Sequence, residues 1–288
     1  MRKKISVVLL TYNEEVRVSE CLKSVAWADE VVVVDSGSTD RTLALCRAIP
    51  RVHIFNHSWQ GFGKQRDYAV SLAKHDWVLS LDADERVSLY LAKEILDLLE
   101  SEPAGKIYRI PFKNIFLGRW LQHGGMYPDS HLRLFHRKYG RFNHNPVHEQ
   151  VETKQPSKNL NAFMEHLLSK DLSHYVAKIN RYTDLEAAIL YEHGVQPTGY
   201  DLFLKPLLRF FNAYIARKGF ADGVPGFLFA FLRGIYFFLI YQKLYEQYKW
   251  KPSILKMIFT IFKRNKKNSH GYPSQAFSCP ALKKGNTP

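Results

Sequence analysis

The chain predicts an α/β fold: a mostly parallel sheet flanked by helices, followed by a helical extension rich in basic and aromatic residues. Three observations carry this. Short apolar runs rich in Val, Ile and Leu recur through the first eighty residues, each but the last followed by a polar or helical segment. The runs are continuous rather than alternating, as strands covered on both faces require, and their spacing is that of βα repeats. From Asp201 onward the chain carries 15 Lys and Arg against 3 Asp and Glu, set among Phe, Tyr, Leu and Ile.

In chain order, strands are expected at 5–11, 31–35, 52–55 and 77–81, and helices at 15–25, 39–48, 63–73 and 88–99. Ser38 or Asp40 can cap the second helix and Ser88 the fourth, because short polar side chains accept hydrogen bonds from the first free N–H groups. Between 106 and 151 the pattern becomes irregular, with Gly, Pro, His and aromatics concentrated at 120–129 and 141–149, a composition suited to loops that shape a pocket around a second substrate. A long helix is expected over 169–193, with Leu172, Tyr175, Ile179, Tyr182, Leu185 and Ile189 at helical spacing. Beyond it Phe203, Leu207, Phe210 and Tyr214 recur every three to four residues, with Lys205, Arg209, Arg217 and Lys218 between them. The apolar block 226–241 is shorter than the roughly 20 residues of a spanning helix and carries Arg233, so a packed or interfacial helix is expected. Residues 251–267 repeat that character, and 268–288 read as a flexible tail. The expected division is 1–195 for the α/β domain, 196–267 for an amphipathic membrane-associating region and 268–288 for the tail.

With 288 residues, 46% hydrophobic and 14% aromatic, the chain can bury a large core, which excludes a disordered protein. Cys21, Cys46 and Cys279 form no CxxC pair, so neither a disulfide framework nor a structural zinc site is indicated, and a reducing cytosol fits. The first apolar run is too short for a signal-peptide core. The formal charge of +14 lies almost wholly in the C-terminal third. It suits an anionic lipid surface better than nucleic acid, since the charges sit among apolar residues at helical spacing with no recognisable nucleic-acid motif.

Three polar clusters stand where strands end, the place where open α/β sheets bind ligands: Thr11-Tyr12-Asn13-Glu14, Asp35 to Asp40, and Asp82-Ala83-Asp84-Glu85. No GxGxxG or GxxxxGK[ST] follows the first strand, which disfavours a nicotinamide-type dinucleotide fold and a P-loop nucleotidase. Two carboxylates one residue apart at a strand end can face one divalent cation and the diphosphate it neutralises. They equally suit a solvated turn or the start of the helix near Ser88.

Taken together, Ile5 to Glu14, Val31 to Asp40 and Trp77 to Glu85 resemble the three N-terminal signatures of the family 2 inverting glycosyltransferases, which have the GT-A fold. The likeness covers roughly the first 190 residues. Trp59 to Gly63, Asn114 to Gly118, Tyr127-Pro128-Asp129, Arg133-Leu134-Phe135, Val147-His148-Glu149 and Gly219 to Gly223 are softer motifs similar to the subgroup that builds lipopolysaccharide or lipooligosaccharide inner core, notably the β-1,4-glucosyltransferases acting on heptose.

The resemblance implies a UDP-sugar donor, with glucose as the sugar, a lipid-linked saccharide acceptor, and Mg²⁺ or Mn²⁺ as cofactor, on the cytoplasmic face of the membrane. It implies Asp84 as the direct metal ligand and Asp82 on the donor ribose or a metal-bound water, while Glu85 reads as a helix-start charge. His166 stands where many GT-A enzymes carry a histidine that completes the metal shell; His174, inside the expected helix, reads as structural. Thr11, Tyr12, Glu14 and Asp35 fall where the family cradles the nucleoside. Lys64 or Arg66 can approach the diphosphate, although Asp67 departs from the family's usual Arg-Asn. Glu149 is the expected general base, with His148 and then Asp129 as competitors. A family 2 enzyme acting on another glycan or lipid-linked acceptor, and a non-catalytic membrane-associated protein, are the alternatives; the latter could dispense with Asp82, Asp84 and Glu149, all of which are present. A sugar-nucleotide pyrophosphorylase should carry a Gly-rich loop where Thr11 to Glu14 stand.

Overall fold

The computed structural model describes residues 2–101, 103–143, 150–169 and 171–248. Contacts divide the chain into two compact units. The first comprises residues up to Asn114 together with Pro128–Leu167. The second comprises Ile115–Tyr127 and the chain from Leu168.

The first unit alternates strand and helix: β1 Ile5–Thr11, α1 Val18–Ser24, β2 Glu30–Asp35, α2 Thr42–Arg47, β3 Val52–Asn56, α3 Phe62–Leu72 and β4 Trp77–Asp82. After β4 the chain runs through β5 Glu85–Val87, α4 Leu89–Glu100, β6 Ile107–Phe116, β7 Arg119–Trp120, which belongs to the second unit, β8 Ser130–His136, β9 Arg141–Phe142, β10 Val151–Glu152, β11 Ser157–Asn159 and β12 Met164–Leu167. The main sheet runs β3-β2-β1-β4-β8-β6-β12-β5, with β11 and β7 also paired to β6. Its first four strands are parallel and β8 and β6 join antiparallel.

Continuous apolar sequence gives β1, β2 and β4 two covered faces. Val7, Leu9, Val31, Val33, Leu79 and Leu81 pack into one core, and Val8, Val32, Val34 and Val78 into another. Each such side chain contributes about 1.5–3 kcal/mol of burial. Ser88 caps α4 by accepting a hydrogen bond from Leu91 N at 3.2 Å, and the helix buries Leu91, Ala92, Ile95 and Leu99 along one stripe.

The stretch expected as irregular holds two long strands. β6 turns alternate residues inward, including Ile110, Phe112, Asn114 and Phe116. Its period of two is obscured in the sequence because Pro111 lies within it and a polar Asn occupies an inward position.

The second unit is helical: α5 Leu172–Glu192, a π-helical turn Tyr200–Leu204, α6 Lys205–Phe211, a second π turn Asn212–Ala216, a 3₁₀ turn Gly219–Asp222, and α7 Gly223–Gln247. Asp171 caps α5 through His174 N at 2.7 Å. Phe116, Tyr175, Ile179, Phe229, Tyr236 and Ile240 belong to its core, where Tyr236 donates to the buried Glu186 at 2.6 Å. A Cβ on Gly226 would overlap the carbonyl oxygen of Gly219, so the 3₁₀ turn can press on α7 only with glycine there. The stretch Gly219–Gln247 is long and apolar enough to cross a membrane by length and composition, and half of its most apolar window is buried in the protein. Arg233, in its middle, is buried and donates to Gly124 O.

Candidate active site

The parallel register sets Thr11 beside Asp35 and Leu10 beside Asp82, so the three polar clusters meet at the same ends of β1, β2 and β4. The two upper loops are stitched together. Thr39 N donates to Asn13 Oδ1 at 2.8 Å, Asn13 N to Ser38 Oγ at 2.9 Å, and Arg41 N to Glu15 Oε2 at 3.1 Å. Asp40 accepts from Glu15 N at 3.1 Å and Thr42 N at 2.9 Å, tying both loops to the start of α2.

Asp35 is fully buried and accepts four hydrogen bonds: from the hydroxyls of Thr11 and Ser38 at 3.0 and 2.5 Å, and from the N–H groups of Gly37 and Ser38 at 2.9 and 2.7 Å. A base or ribose would have to compete with those donors, so the carboxylate's observed work is to shape the loop. Beside it a cavity of ≈ 190 Å³ is lined by Asp35, Ser36, Gly37, Asn56, His57 and Ser58. A larger cleft of ≈ 460 Å³ lies at the opposite strand ends, among Lys3, Lys74, Trp77 and Lys106.

The acidic cluster after β4 is interleaved with arginines. Arg66, buried on α3, donates Nη2 to both oxygens of Asp82 at 2.7 and 2.8 Å and Nη1 to Ser80 Oγ at 3.0 Å. Arg133, on β8, reaches Asp82 at 2.9 Å and Glu85 at 2.5 Å. Burial alone would raise the Asp82 pKa, but the two guanidiniums outweigh it and hold the carboxyl at about 2. Glu85 goes the other way: burial is the largest cause, Arg133 opposes it, and the neighbouring Asp82 and Asp84 add to it, leaving the carboxyl at about 7.

Arg17 completes the set. Its Nε and Nη2 clasp Glu14 at 2.9 and 3.1 Å, while Nη1, buried and without a hydrogen-bond partner, stands 3.8 Å from Asp84 Oδ2. That same oxygen faces His166 Nε2 at 3.7 Å, too far for a hydrogen bond. Pairing of β12 with β5 sets His166 opposite Glu85, and Leu167 N donates to Asp84 O at 2.8 Å.

Among the described residues no three His, Cys, Asp or Glu converge as a metal cage. Asp84 and His166 are nonetheless a carboxylate and an imidazole facing each other across a gap, next to a cationic N–H that lacks a hydrogen-bond partner. This set fits a hard divalent cation that takes its remaining ligands from diphosphate oxygens and water.

The profile of the family described as "Glycosyl transferase family 2" matches residues 6–157. The chain belongs to this family. It is 30% identical over 249 residues to an uncharacterized glycosyltransferase of Rickettsia conorii, covering 81% of this chain and 88% of the relative. It is 26% identical over 258 residues to the lipopolysaccharide core biosynthesis glycosyltransferase LpsC of Rhizobium meliloti, covering 87% and 96%. Among solved structures it is similar to the mannosyltransferase PcManGT from Pyrobaculum calidifontis in complex with GDP-Man and Mn²⁺, at 16% identity and a TM-score of 0.50, covering 85% of this chain and 87% of that one. The protein is therefore a glycosyltransferase of GT-A fold, similar to lipopolysaccharide core glycosyltransferases.

In this glycosyltransferase the residues singled out from the sequence have distinct settings. Glu85 is not a helix-start charge: it lies in β5, is 1% exposed and pairs with Arg133, because α4 starts only at Leu89 under the Ser88 cap. Asp82, expected on the donor ribose or a metal-bound water, is engaged by Arg66 and Arg133. Glu14 clasps Arg17, Thr11 is buried against Asp35, Tyr12 is half exposed, and Lys64 is exposed on α3. His174 meets Ser169 Oγ at 2.8 Å within the second unit. Asp129 is buried, with His131 and Asn114 on its two oxygens. Glu149 and His148 lie outside the described residues. Arg17 is not among the residues singled out from the sequence, and an arginine three residues after Glu14 is the signal that points to it; Arg133 is, as the first residue of the Arg133-Leu134-Phe135 motif, without its carboxylate partners.

Proposed function

We propose that this enzyme transfers a hexose, glucose, from a UDP-sugar to a heptose of a lipopolysaccharide inner-core acceptor, with inversion, at the cytoplasmic face of the membrane. The observation that carries the reading is the strand-end constellation in which Asp84 and His166 face each other beside Arg17, while Arg66 and Arg133 neutralise Asp82. The likeness to LpsC supports the acceptor class.

The nucleoside binds over Tyr12 and the loop that Asp35 shapes, beside the ≈ 190 Å³ cavity. Asp84 and His166 would hold Mg²⁺ or Mn²⁺, which when bound would offset the charge growing on the departing diphosphate. Arg17 Nη1 adds a fixed positive donor at the same place, made effective by its burial. Arg66 and Arg133 keep Asp82 ionised, so its carboxylate can accept a ribose hydroxyl without drawing a proton from the site. Glu149, named on sequence grounds, takes the proton of the attacking hydroxyl as the new bond forms.

Membrane association rests on the second unit. Phe203, Leu207, Phe211 and Ile215 repeat every four residues and are each more than half exposed, and between Leu202 and Ala221 the chain carries Lys205, Arg209, Arg217 and Lys218 with no carboxylate. Apolar insertion with flanking cations is the chemistry of binding to an anionic bilayer.

The test is a panel of UDP-sugars with heptose-bearing and other lipid-linked acceptors, with and without chelator, on wild type and Asp84→Ala. Transfer of glucose to the heptose acceptor, lost with chelator and in the variant, is expected. Full transfer by Asp84→Ala in chelator rejects the metal reading, and transfer only to another acceptor rejects the acceptor. In co-sedimentation, binding to anionic but not neutral liposomes, weakened by salt and by Leu207→Glu with Ile215→Glu, supports the membrane reading; equal recovery with either liposome opposes it.

A further inference from the structure

We propose that Asn114 and Asp129 form a buried positioning relay that fixes the tautomer of His166 and aims its Nε2 at Asp84. The cation that this pair would receive rests on the metal reading above; the tautomer does not.

Two of the softer sequence motifs, the one opening at Asn114 and the one ending at Asp129, meet here. Asn114 is 1% exposed on the inward face of β6. Its Nδ2 donates to Asp129 Oδ2 at 2.9 Å, and its Oδ1 stands 2.8 Å from His166 Nδ1. Burial alone would raise the pKa of Asp129, but the hydrogen bonds from His131 and Asn114 act against it and the carboxyl lies below its ordinary value, so the group is a carboxylate at neutral pH.

The direction of every hydrogen bond follows. An ionised carboxylate only accepts, so the amide must turn its NH₂ towards Asp129 and its oxygen towards His166. A carbonyl oxygen also only accepts, so His166 Nδ1 must carry the proton. Nε2 is then the ring nitrogen left to face Asp84 Oδ2, at 3.7 Å. A divalent cation held there would meet both atoms, beside the Arg17 Nη1 that stands 3.8 Å from the same Asp84 oxygen.

The surroundings hold this geometry in place. Phe112 N donates to Asp129 O at 2.7 Å, and the Phe112 ring packs edge-on against His166 with centroids 5.6 Å apart and against His131 at 4.7 Å. His131 Nε2 holds the second oxygen of Asp129 at 2.9 Å. A histidine backed in this way through Nδ1 is a stronger and better oriented ligand, and loss of such a backing group lowers metal affinity about 10–100-fold.

The experiment uses the full chain. Long-range ¹H–¹⁵N correlation on metal-free protein with labelled histidine reads the His166 tautomer, and electron paramagnetic resonance titration with Mn²⁺ in the presence of UDP reads affinity. Wild type is expected to show the Nδ1–H form. Asn114→Ala should lose that preference and bind Mn²⁺ about 10–100-fold more weakly, and Asn114→Asp, which sets two carboxylates face to face, should be as weak. The exchange Asn114→Asp with Asp129→Asn restores the pattern: the amide, moved to position 129, donates to the carboxylate, moved to position 114, which still accepts from His166. Tautomer and affinity should then return towards wild type. A role confined to stapling β6 to its neighbours would move the melting temperature without moving the tautomer. An Nε2–H ring in wild type, or an exchange no better than Asn114→Asp alone, overturns the proposal. Absence of Mn²⁺ binding in wild type together with an Nδ1–H ring rejects the metal reading and leaves the relay standing.

Discussion

Replacing Arg133 by Met removes one guanidinium from two carboxylates while nearly keeping side-chain volume. Arg133 reaches Asp82 at 2.9 Å and Glu85 at 2.5 Å, and its guanidinium lies 5.5 Å from the centre of the Phe112 ring. Asp82 keeps Arg66, but Glu85, 1% exposed, loses its ion-pair partner. Leaving a buried charge unpaired costs about 3–5 kcal/mol. Glu85 can avoid that cost by taking up a proton, so the penalty depends on pH. In the wild type its carboxyl is raised from 4.5 to about 7, so between these values the native state binds more protons than the unfolded chain, and stability falls as pH rises through that window. The whole fall is on the order of 3 kcal/mol. Without Arg133 the folded value rises further, so the descent continues above pH 7 in the variant after it has ended in the wild type. Urea unfolding at pH 5.5 and 8.0, followed through the fluorescence of buried Trp77, should therefore show a stability gap that widens at the higher pH, approaching about 3–5 kcal/mol. A gap that is constant, or larger at pH 5.5, refutes the assignment of Glu85 as the proton-accepting member of the cluster.

Asp84→Asn keeps the shape of the strand-end loop while removing the charge that faces His166, so transfer should fall about 10²–10³-fold with Mn²⁺ binding in step; unchanged Mn²⁺ affinity would move the metal elsewhere. Gly226→Ala forces a methyl onto the carbonyl oxygen of Gly219 and should lower stability by about 1–3 kcal/mol or more, read as earlier thermal unfolding by circular dichroism. Ser88→Ala removes the cap of α4 and should cost about 1 kcal/mol, with no change in Mn²⁺ affinity.

The parallel half of the sheet was legible because burial on both faces writes itself into the sequence as unbroken Val, Ile and Leu. The expected 5–11 strand matches β1, and the other three differ from β2, β3 and β4 by a residue at one end. Helix starts were less legible. Residues 15–17 and 39–41 were expected to be helical, yet their polar groups bond across the two loops, Glu15 N to Asp40 and Arg41 N to Glu15, and α1 and α2 begin three residues late. β6 was hidden for a related reason: an inward Asn breaks the apolar alternation because that position serves Asp129 and His166 instead of the core. In the second unit the sequence spacing puts Phe203, Leu207, Phe210 and Tyr214 in one stripe. The π turns shift the phase, so Phe211 and Ile215 join the exposed row while the Phe210 and Tyr214 rings stack on each other, 5.5 Å apart.

Carboxylate spacing points to the candidate site and does not distinguish its members, because spacing carries no information on which guanidinium each oxygen meets. Asp82 and Asp84 are equivalent as letters. Asp82 ends β4, where α3 and β8 bring Arg66 and Arg133 from distant parts of the chain. Asp84 lies beyond the strand, where β12 presents His166 and the β1 loop presents Arg17. Both neighbourhoods are made by tertiary pairing over tens of residues, so the different settings of the two carboxylates are a property of the sheet order. Moving charge between Arg66 and Asp82 should consequently disturb folding before chemistry, whereas the same change at Asp84 should disturb chemistry with the fold intact.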